Sequence, residues 1–584
     1  MRARGAAGAA AAFVGTTGIA IASSRDTESS AARFSRTLWH ASLAGFDYKF
    51  GASARETRGS AERAAALAAT HQRSAERLLH VCQMHGGLYT KFGQFVASMT
   101  HILPPQYPAV LSACQDRAPA VSFEEVRNVV ERELQQPLER CFAAFDPEPI
   151  AAASLAQVHR ADTLDGEQVA VKVQYPKLAR QVAADLRTMR VLAHLLSCAF
   201  EGHSYGWILP EFETSMTAEL DFCREAANAQ RTAKLFAQKE PRLYIPAVLP
   251  RLSSSRVLTM EYIDGAKITD HAGLEERGLP IAELAHLVCS VFSTMIFSHG
   301  LVHVDPHPGN LLARRPPRAA SGGAGASTDV QLVLLDHGMY RELDPGFRHH
   351  YCALWTALLT RDHGKGRAAA RGLGVGERDY EALSLLLTFR SSTSRGALGA
   401  PISPAERSEL RERYGQVAAT DVNAFLRRLP RDMLFVMRTW ALVRSLNRNL
   451  GGTTAQRFLL IAEHAAAGSM PTLPASASWR MRTMMTLRGR WVRFRMSALV
   501  RIIDRATRLV VVLSQCRSES ANALRRYYAA LAVRCAHLPL PWVSETSTMA
   551  LAAPLHASAS SSRSLKVLTG GKLEQKLRLP RELG

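Results

Sequence analysis

The segment His303-Val304-Asp305-Pro306-His307-Pro308-Gly309-Asn310 puts an aspartate and an asparagine in one loop, stiffened by two prolines and a glycine. That pair suits phosphoryl transfer. The aspartate can accept or orient the attacking proton, and the amide can hold a metal ion that bridges phosphates. Downstream, Leu334-Leu335-Asp336-His337-Gly338 ends an apolar run on an aspartate followed by x-Gly, a group able to chelate magnesium. Upstream, Val169-Ala170-Val171-Lys172 is a short strand that delivers a lysine, the residue type that neutralises the α/β-phosphates of a nucleotide. Each signal alone has a bland reading: an exposed strand lysine, or a Pro-rich turn. Lysine, then Asp-x4-Asn, then Asp-x-Gly, each in fitting local context, is a specific combination.

These residues need a frame. Residues 145–173 alternate apolar and polar, and the strands Leu155–Thr163 and Gln168–Gln174 fit a hairpin across Asp165-Gly166. Helical runs follow over Leu178–Phe200 and about Pro210–Gln238. Arg256–Tyr262 reads as a strand ending at Asp264-Gly265, and Leu284–His299 as a long apolar helix that leads to Asp305. Strand-like Asn310–Ala313 and Val330–Leu335 flank a Pro/Gly/Ala/Ser-rich loop, Arg314–Thr328. Before the sheet, residues from 34 to about 100 read helical, stopped at Pro104-Pro105, and Ser122 caps a helix with Glu125 in the capping-box position. Everything after Gly346 reads helical with loops.

In that order the motifs resemble the catalytic apparatus of protein kinases, and four further pieces narrow the resemblance. Lys91-Phe92-Gly93-Gln94 matches a K-x-G-Q motif, Ala151-Ala152-Ala153-Ser154 opens an Ala-rich loop where kinases carry glycines, and Glu219-Leu220-Asp221 matches an E-x-D motif. Glu225 stands where a helix glutamate would pair with Lys172. Over about Phe50 to Trp355 the chain is similar to the UbiB/aarF-domain-containing atypical kinases, most of all their mitochondrial kinase 1 branch. The resemblance implies an α+β, divergent two-lobed protein-kinase-like fold with an N-terminal helical extension and a helical C-terminal region. The corresponding segments are 1–33 (targeting or anchor), 34–144 (extension), 145–265 (N-lobe), 266–470 (C-lobe) and 471–584 (basic helical region and tail).

The implied site has Asp305, Lys172 and Glu225 in catalysis, with Asn310 and Asp336 on Mg2+. ATP is covered by Ala151, Ala152, Ala153 and Ser154 and met at a hinge by Glu261 and Ile263. Lys91 and Gln94 would reach into the substrate cleft as regulatory residues, coupled to Glu219 and Asp221. Glu219, Asp221 and Glu225 are expected on one helix, with Asp221 and Glu225 on one face. Alanines cannot adopt positive φ as cheaply as glycine, so a stiffer cover over the nucleotide is expected.

The chain departs from ordinary kinases. Val304 replaces the catalytic-loop arginine, His307 replaces the lysine two residues after the aspartate, and no A-P-E follows Gly338. The platform that docks peptides is missing, which favours ATP hydrolysis or a small-molecule or prenyl-lipid acceptor over protein phosphorylation. A catalytically weak pseudokinase, acting as a nucleotide-gated scaffold for membrane proteins, is the alternative.

A formal charge of +21 favours anionic partners such as nucleotide or acidic lipid. No zinc-finger, RNP-like or repeated basic-helix pattern supports nucleic acid. The nine cysteines are scattered without C-x-x-C, as in free thiols of a reducing compartment. Arg2 and Arg4 precede an Ala/Gly-rich apolar stretch that fits a mitochondrial presequence, a weak membrane anchor, a secretory signal or a plain Ala-rich end, with the mitochondrial reading favoured. From Trp479 to His537 about thirteen arginines interleave with apolar residues and about two acids, as on an amphipathic pair lying on an acidic membrane or on a basic packing face.

Overall fold

The computed structural model describes residues 29–469, with gaps of which the longest are 53–59, 200–207, 317–329 and 395–401, and two isolated positions beyond. The expectations for residues 1–28, for most of the 314–328 loop and for the basic region after 479 lie outside the described residues. The chain divides into two compact units: residues up to Asp344 with Tyr414–Gly452, and Pro345–Arg413 with the residues from Thr453 on. The segment expected as one C-lobe, 266–470, is thus shared between them.

The first unit opens with helices α1 (Ser30–Phe46), α2 (Ser60–His85), α3 (Gly87–Ala97), α4 (Gln106–Leu111) and α5 (Phe123–Leu134). Ser122 and Glu125 form the reciprocal capping box at the start of α5. Strands β1 (Phe142–Ala152), β2 (Ala156–Thr163) and β3 (Gln168–Gln174) follow, then helices α6 (Leu178–Ala199), α7 (Ile208–Glu219) and α8 (Phe222–Phe236). The β2–β3 hairpin turns at Gly166, whose φ of 82° suits glycine. With β5 (Val257–Glu261) the strands make an antiparallel sheet of order β1-β2-β3-β5; β4 is the short Leu243–Tyr244.

Strand periodicity decides which way Lys172 points. Val169, Val171 and Val173 are buried in a cluster with Val126, Val129 and Val130 of α5. Successive side chains alternate across a strand, so Ala170 and Lys172 take the other face. There Ala170 packs against Phe222, Leu258 and Met260, and the Lys172 ammonium lies 5.1 Å from the Phe222 ring centroid.

The second half of this unit is built on helix α9 (Ile281–Ser293), buried from Leu284 onward except at His286 and continued as a π-helical turn, Thr294–His299. Gly300, at φ 70°, ends it and lets the chain reverse into β7 (Leu301–His303). Strand β6 (Ala266–Lys267), then β8 (Leu311–Arg314) and β9 (Gln331–Leu334), form a sheet of order β4-β9-β8-β6, and β10 (Tyr340–Glu342) pairs with β7. Four short strands (β4, β6, β7 and β10) and β1 as a strand of its own, Phe142–Ala152, were not foreseen; two- and three-residue strands carry too little alternation to read, and β1 falls partly in a stretch read only as alternating and partly in the Ala-rich loop. The helix Arg431–Asn449 completes the unit.

The second unit is helical among its described residues. Helix Pro345–Thr360 buries Phe347, Tyr351, Cys352 and Trp355. It packs with helix His363–Gly372 and with helix Thr454–Gly468, where Trp355 meets Phe458 at a 6.0 Å ring separation.

Candidate active site

Lys172 forks onto a single carboxylate. Its Nζ is 2.8 and 2.9 Å from the two oxygens of Glu225 and 3.4 Å from Oδ2 of Asp336. Glu225 lies in the first turn of α8 and is almost fully buried. Burial pushes its carboxyl up to about 7 against the pull of Lys172. Burial would depress Lys172, but Asp336 and Glu225 outweigh it and hold the ammonium charged. Asp336 is disfavoured as an anion by burial, yet Lys172, Lys91 and the Gly338 N–H together keep it below the usual carboxylate range. That N–H donates to Oδ1 at 2.9 Å.

Histidines lock the two loops together. Asp305 N–H donates to His303 Nδ1 at 3.2 Å, which leaves the proton of a neutral ring on Nε2, 2.7 Å from the Asp336 carbonyl. One imidazole therefore ties the start of the Asp305 loop to the backbone of Asp336. His337 is buried and neutral, its pKa lowered to about 3 chiefly by desolvation, and bridges Tyr340 Oη (2.9 Å) and the Leu334 carbonyl (3.1 Å). Asn310 stands where β8 begins, and Leu335 N–H donates to its carbonyl at 2.9 Å. The β8–β9 ladder thus sets Asn310 and Asp336 at the same end of one hairpin.

The helix expectation for Glu219, Asp221 and Glu225 needs correction. Glu219 ends α7, and Asp221 is the N-cap of α8, its carboxylate accepting from Cys223 N–H at 3.0 Å. An aspartate there satisfies the orphan N–H groups of a new helix better than it would continue an old one. The break aims both glutamates inward: Glu219 meets Lys91 Nζ at 2.9 Å, and Asp221 contributes a cap. Packing positions Lys91. Phe92 and Phe95 of α3 lie 5.2 and 5.4 Å from the Phe212 ring of α7, and Phe212 and Glu219 are two helical turns apart. Lys91 also feels the charges of Asp305 and Asp336, which with Glu219 outweigh its burial and raise its pKa. Gln94 instead donates to the Cys114 carbonyl at 2.9 Å, so Lys91 is the member of that motif standing among the acids.

The Ala-rich cover is a tight hairpin. Ala151 and Ala152 close β1 opposite Val158 and Gln157, and Ala153 N–H donates to the Ala156 carbonyl at 2.8 Å. Tyr175 Oη fixes the tip through the Ala153 carbonyl at 2.9 Å. The Ala153 amide is therefore committed within the turn, whereas Ser154 Oγ is buried without a partner. At the expected hinge, Glu261 N–H donates to the Ala247 carbonyl (2.8 Å) and its carboxylate accepts from Tyr244 Oη (2.5 Å). Ile263 is buried against Leu312 and Val333.

Sequence reading missed one residue here. Arg438 Nη2 lies 3.3 Å from Asp305 Oδ1. It sits on a helix that also carries Arg431, Arg444 and Arg448, and nothing local sets it apart.

Residues 113–369 match the model of the ABC1 atypical kinase-like domain, a span that holds these groups except the α3 residues Lys91, Phe92, Gln94 and Phe95 and the later Arg438. The AarF domain-containing protein kinase 1 of Xenopus laevis is 36% identical over 386 residues, 65% of this chain and 72% of that protein. A putative ABC1 protein of Arabidopsis thaliana is 36% identical over 441 residues, 74% of this chain and 81% of that one. The chain belongs to the ABC1/AarF atypical kinase-like family. A probable serine/threonine-protein kinase of Dictyostelium discoideum is 39% identical over 400 residues, but the chain spans only 56% of its length. Among solved structures, this family member is similar to Rv3197 of Mycobacterium tuberculosis, solved with erythromycin (TM-score 0.44, 22% identity, 71% of this chain and all of that one). It is similar also to the Rio2 kinase of Chaetomium thermophilum, solved as an ADP/Mg2+–phosphoaspartate complex (TM-score 0.23, 12% identity, 63% and 98%).

Proposed function

We propose that this ABC1/AarF chain is an ATP-dependent atypical kinase or ATPase, acting on a small-molecule or lipid-linked acceptor. The observation that carries the reading is Lys172 held between Glu225 and Asp336, with Asp305 tied to the same Asp336 backbone through His303. Lys172 would neutralise nucleotide phosphates, and Glu225 would hold it in place. Asp305 would orient and take the proton of the attacking hydroxyl or water.

Asp336 and Asn310 fit Mg2+. Nucleotide-bound magnesium needs one or two oxygen groups from the protein and draws the rest from phosphates and water. Among the described residues no group of three acids, histidines or cysteines forms a protein cage, and the Asp336 side chain keeps a third of its surface exposed. When bound, the ion supplies charge neutralisation at the phosphates.

Protein substrates fit less well. After Gly338 the chain passes at once into β10, and helix Pro345–Thr360 starts three residues beyond it, which leaves no length for a peptide-docking segment. A mitochondrial, membrane-associated setting is supported by the sequence alone, through Arg2, Arg4, the Ala-rich segment after them and the Arg-rich stretch after Trp479. Phosphate release from ATP in magnesium buffer tests the reading, with acidic-lipid vesicles present. Asp305→Asn should lower turnover by roughly 10²–10⁴-fold, the usual worth of a general base. Full turnover by Asp305→Asn would refute the role given to Asp305, and ATP binding without turnover in wild type would favour the scaffold reading instead.

A further inference from the structure

Arg438 is clamped between two motifs far apart in sequence. Its Nη2 donates to Asp305 Oδ1 at 3.3 Å, and its guanidinium lies 4.9 Å from the ring centroid of Phe95, the residue directly after Gln94. The side chain is only 12% exposed, and its Nε and Nη1 are buried without a hydrogen-bond partner. A guanidinium stays charged and carries five N–H donors in one plane. Donors taken out of water are nearly always paired, so two orphaned nitrogens on one fixed cation ask for an acceptor.

The other cations here are committed. Lys172 is engaged by Glu225 and Asp336, and Lys91 by Glu219. The loop itself offers no cation. His307 takes the position of the kinase lysine, and its Nδ1 accepts from Gly309 N–H at 3.2 Å. Arg438 therefore brings a fixed cation with two unpaired N–H groups to the Asp305 side of the site, where negative charge develops on a phosphoryl group in flight.

We propose that Arg438 is the catalytic arginine of this centre. Its Nε and Nη1 donate to oxygens of the transferring phosphoryl group while Nη2 steadies Asp305. The inference rests on the ATP reading above. In the step it serves, an acceptor oxygen of water or a substrate hydroxyl bonds to the γ-phosphorus, and its proton passes to Asp305. The bond from that phosphorus to the β–γ bridging oxygen breaks, and the electron pair leaves on ADP. Arg438 neither gains nor loses a proton.

The test compares the affinity of the full chain for Mg-ADP alone and with aluminium fluoride, which mimics the phosphoryl group between donor and acceptor. Wild type should bind ADP at least roughly tenfold tighter with the fluoride, as transition-state mimics do. Arg438→Ala should bind ADP alone within about twofold of wild type and lose the tightening, while ATP turnover falls on the order of 10³-fold. Added guanidinium ion should restore part of the tightening. Arg438→Lys keeps the charge and the fold but lacks the planar fork, so it should recover little. A purely structural role would weaken both affinities equally. Tightening that survives Arg438→Ala or is missing from wild type, or turnover that rises in the variant, overturns the assignment. A wild-type chain that binds no Mg-ADP defeats the ATP reading itself.

Discussion

At the residue scale, a half-buried lysine faces two carboxylates and so holds both in place. Removing it leaves Glu225 able to escape as a neutral acid, because burial already pushes that carboxyl up to about 7. Lys172→Met should therefore abolish activity while costing only about 1–3 kcal/mol, below the 3–5 kcal/mol typical of a broken buried pair. Urea unfolding beside turnover checks this, and a larger loss of stability would show that Glu225 stays charged. Lys172, Asp305, Asn310 and Asp336 were legible because each sits in a short local pattern that chemistry constrains. Glu225 was reached only through the resemblance. Arg438 was not legible at all, since what sets it apart is Phe95 and Asp305, contacts that exist only after folding.

At the element scale, α3 is pressed against its neighbours through Gly93. A Cβ there would sit 2.5 Å from Cys114 Sγ and 3.1 Å from Cys82 Sγ. Gly93→Ala should cost about 1–3 kcal/mol by overpacking and displace Lys91 from Glu219. A thermal midpoint equal to wild type would contradict this. Helix α1 is fixed to α6 by a buried pair: Arg33 donates to both Asp185 oxygens, at 3.0 and 2.6 Å, and to the His85 carbonyl at 2.9 Å. Arg33→Ala leaves the Asp185 carboxyl, which burial already pushes up, and the His85 carbonyl without their partner and should cost about 1–3 kcal/mol, whereas the double variant with Asp185→Leu should recover most of it. Denaturant titration of the three variants decides the matter. The hairpin, α5 and its capping box, and the apolar helix before Asp305 were all readable from periodicity and caps. The break between α7 and α8 was not, because Leu220-Asp221 contains neither glycine nor proline and an N-cap aspartate looks like any helix aspartate.

At the scale of the whole molecule, burial of histidines sets the response to acid. Six described histidines (His40, His71, His85, His159, His303 and His337) are shifted down, each chiefly by desolvation, with His85 and His337 at about 3. Their folded forms bind fewer protons than the unfolded chain below pH 6.5, so their contribution is present near neutrality and lost as pH falls. Glu225, Glu219 and Asp185, whose carboxyls burial pushes up, act with the opposite sign, the contribution of Glu225 falling as pH rises from 4.5 to about 7. The six histidines outnumber these three. Stability should therefore drop on acidification from pH 7 to 5, with each fully shifted group adding about 1.4 kcal/mol per pH unit. Denaturant midpoints that stay level or rise over that interval would oppose the burial described here. The account as a whole depends on Asp336 meeting a metal-bound nucleotide. Equilibrium binding of ATP with and without magnesium, to wild type and to Asp336→Asn, tests it most directly. Wild type should bind at least roughly tenfold tighter with the metal, on the scale of a charge-assisted contact, and Asp336→Asn should bind equally weakly in both conditions; an undiminished magnesium effect in that variant would contradict the assigned site.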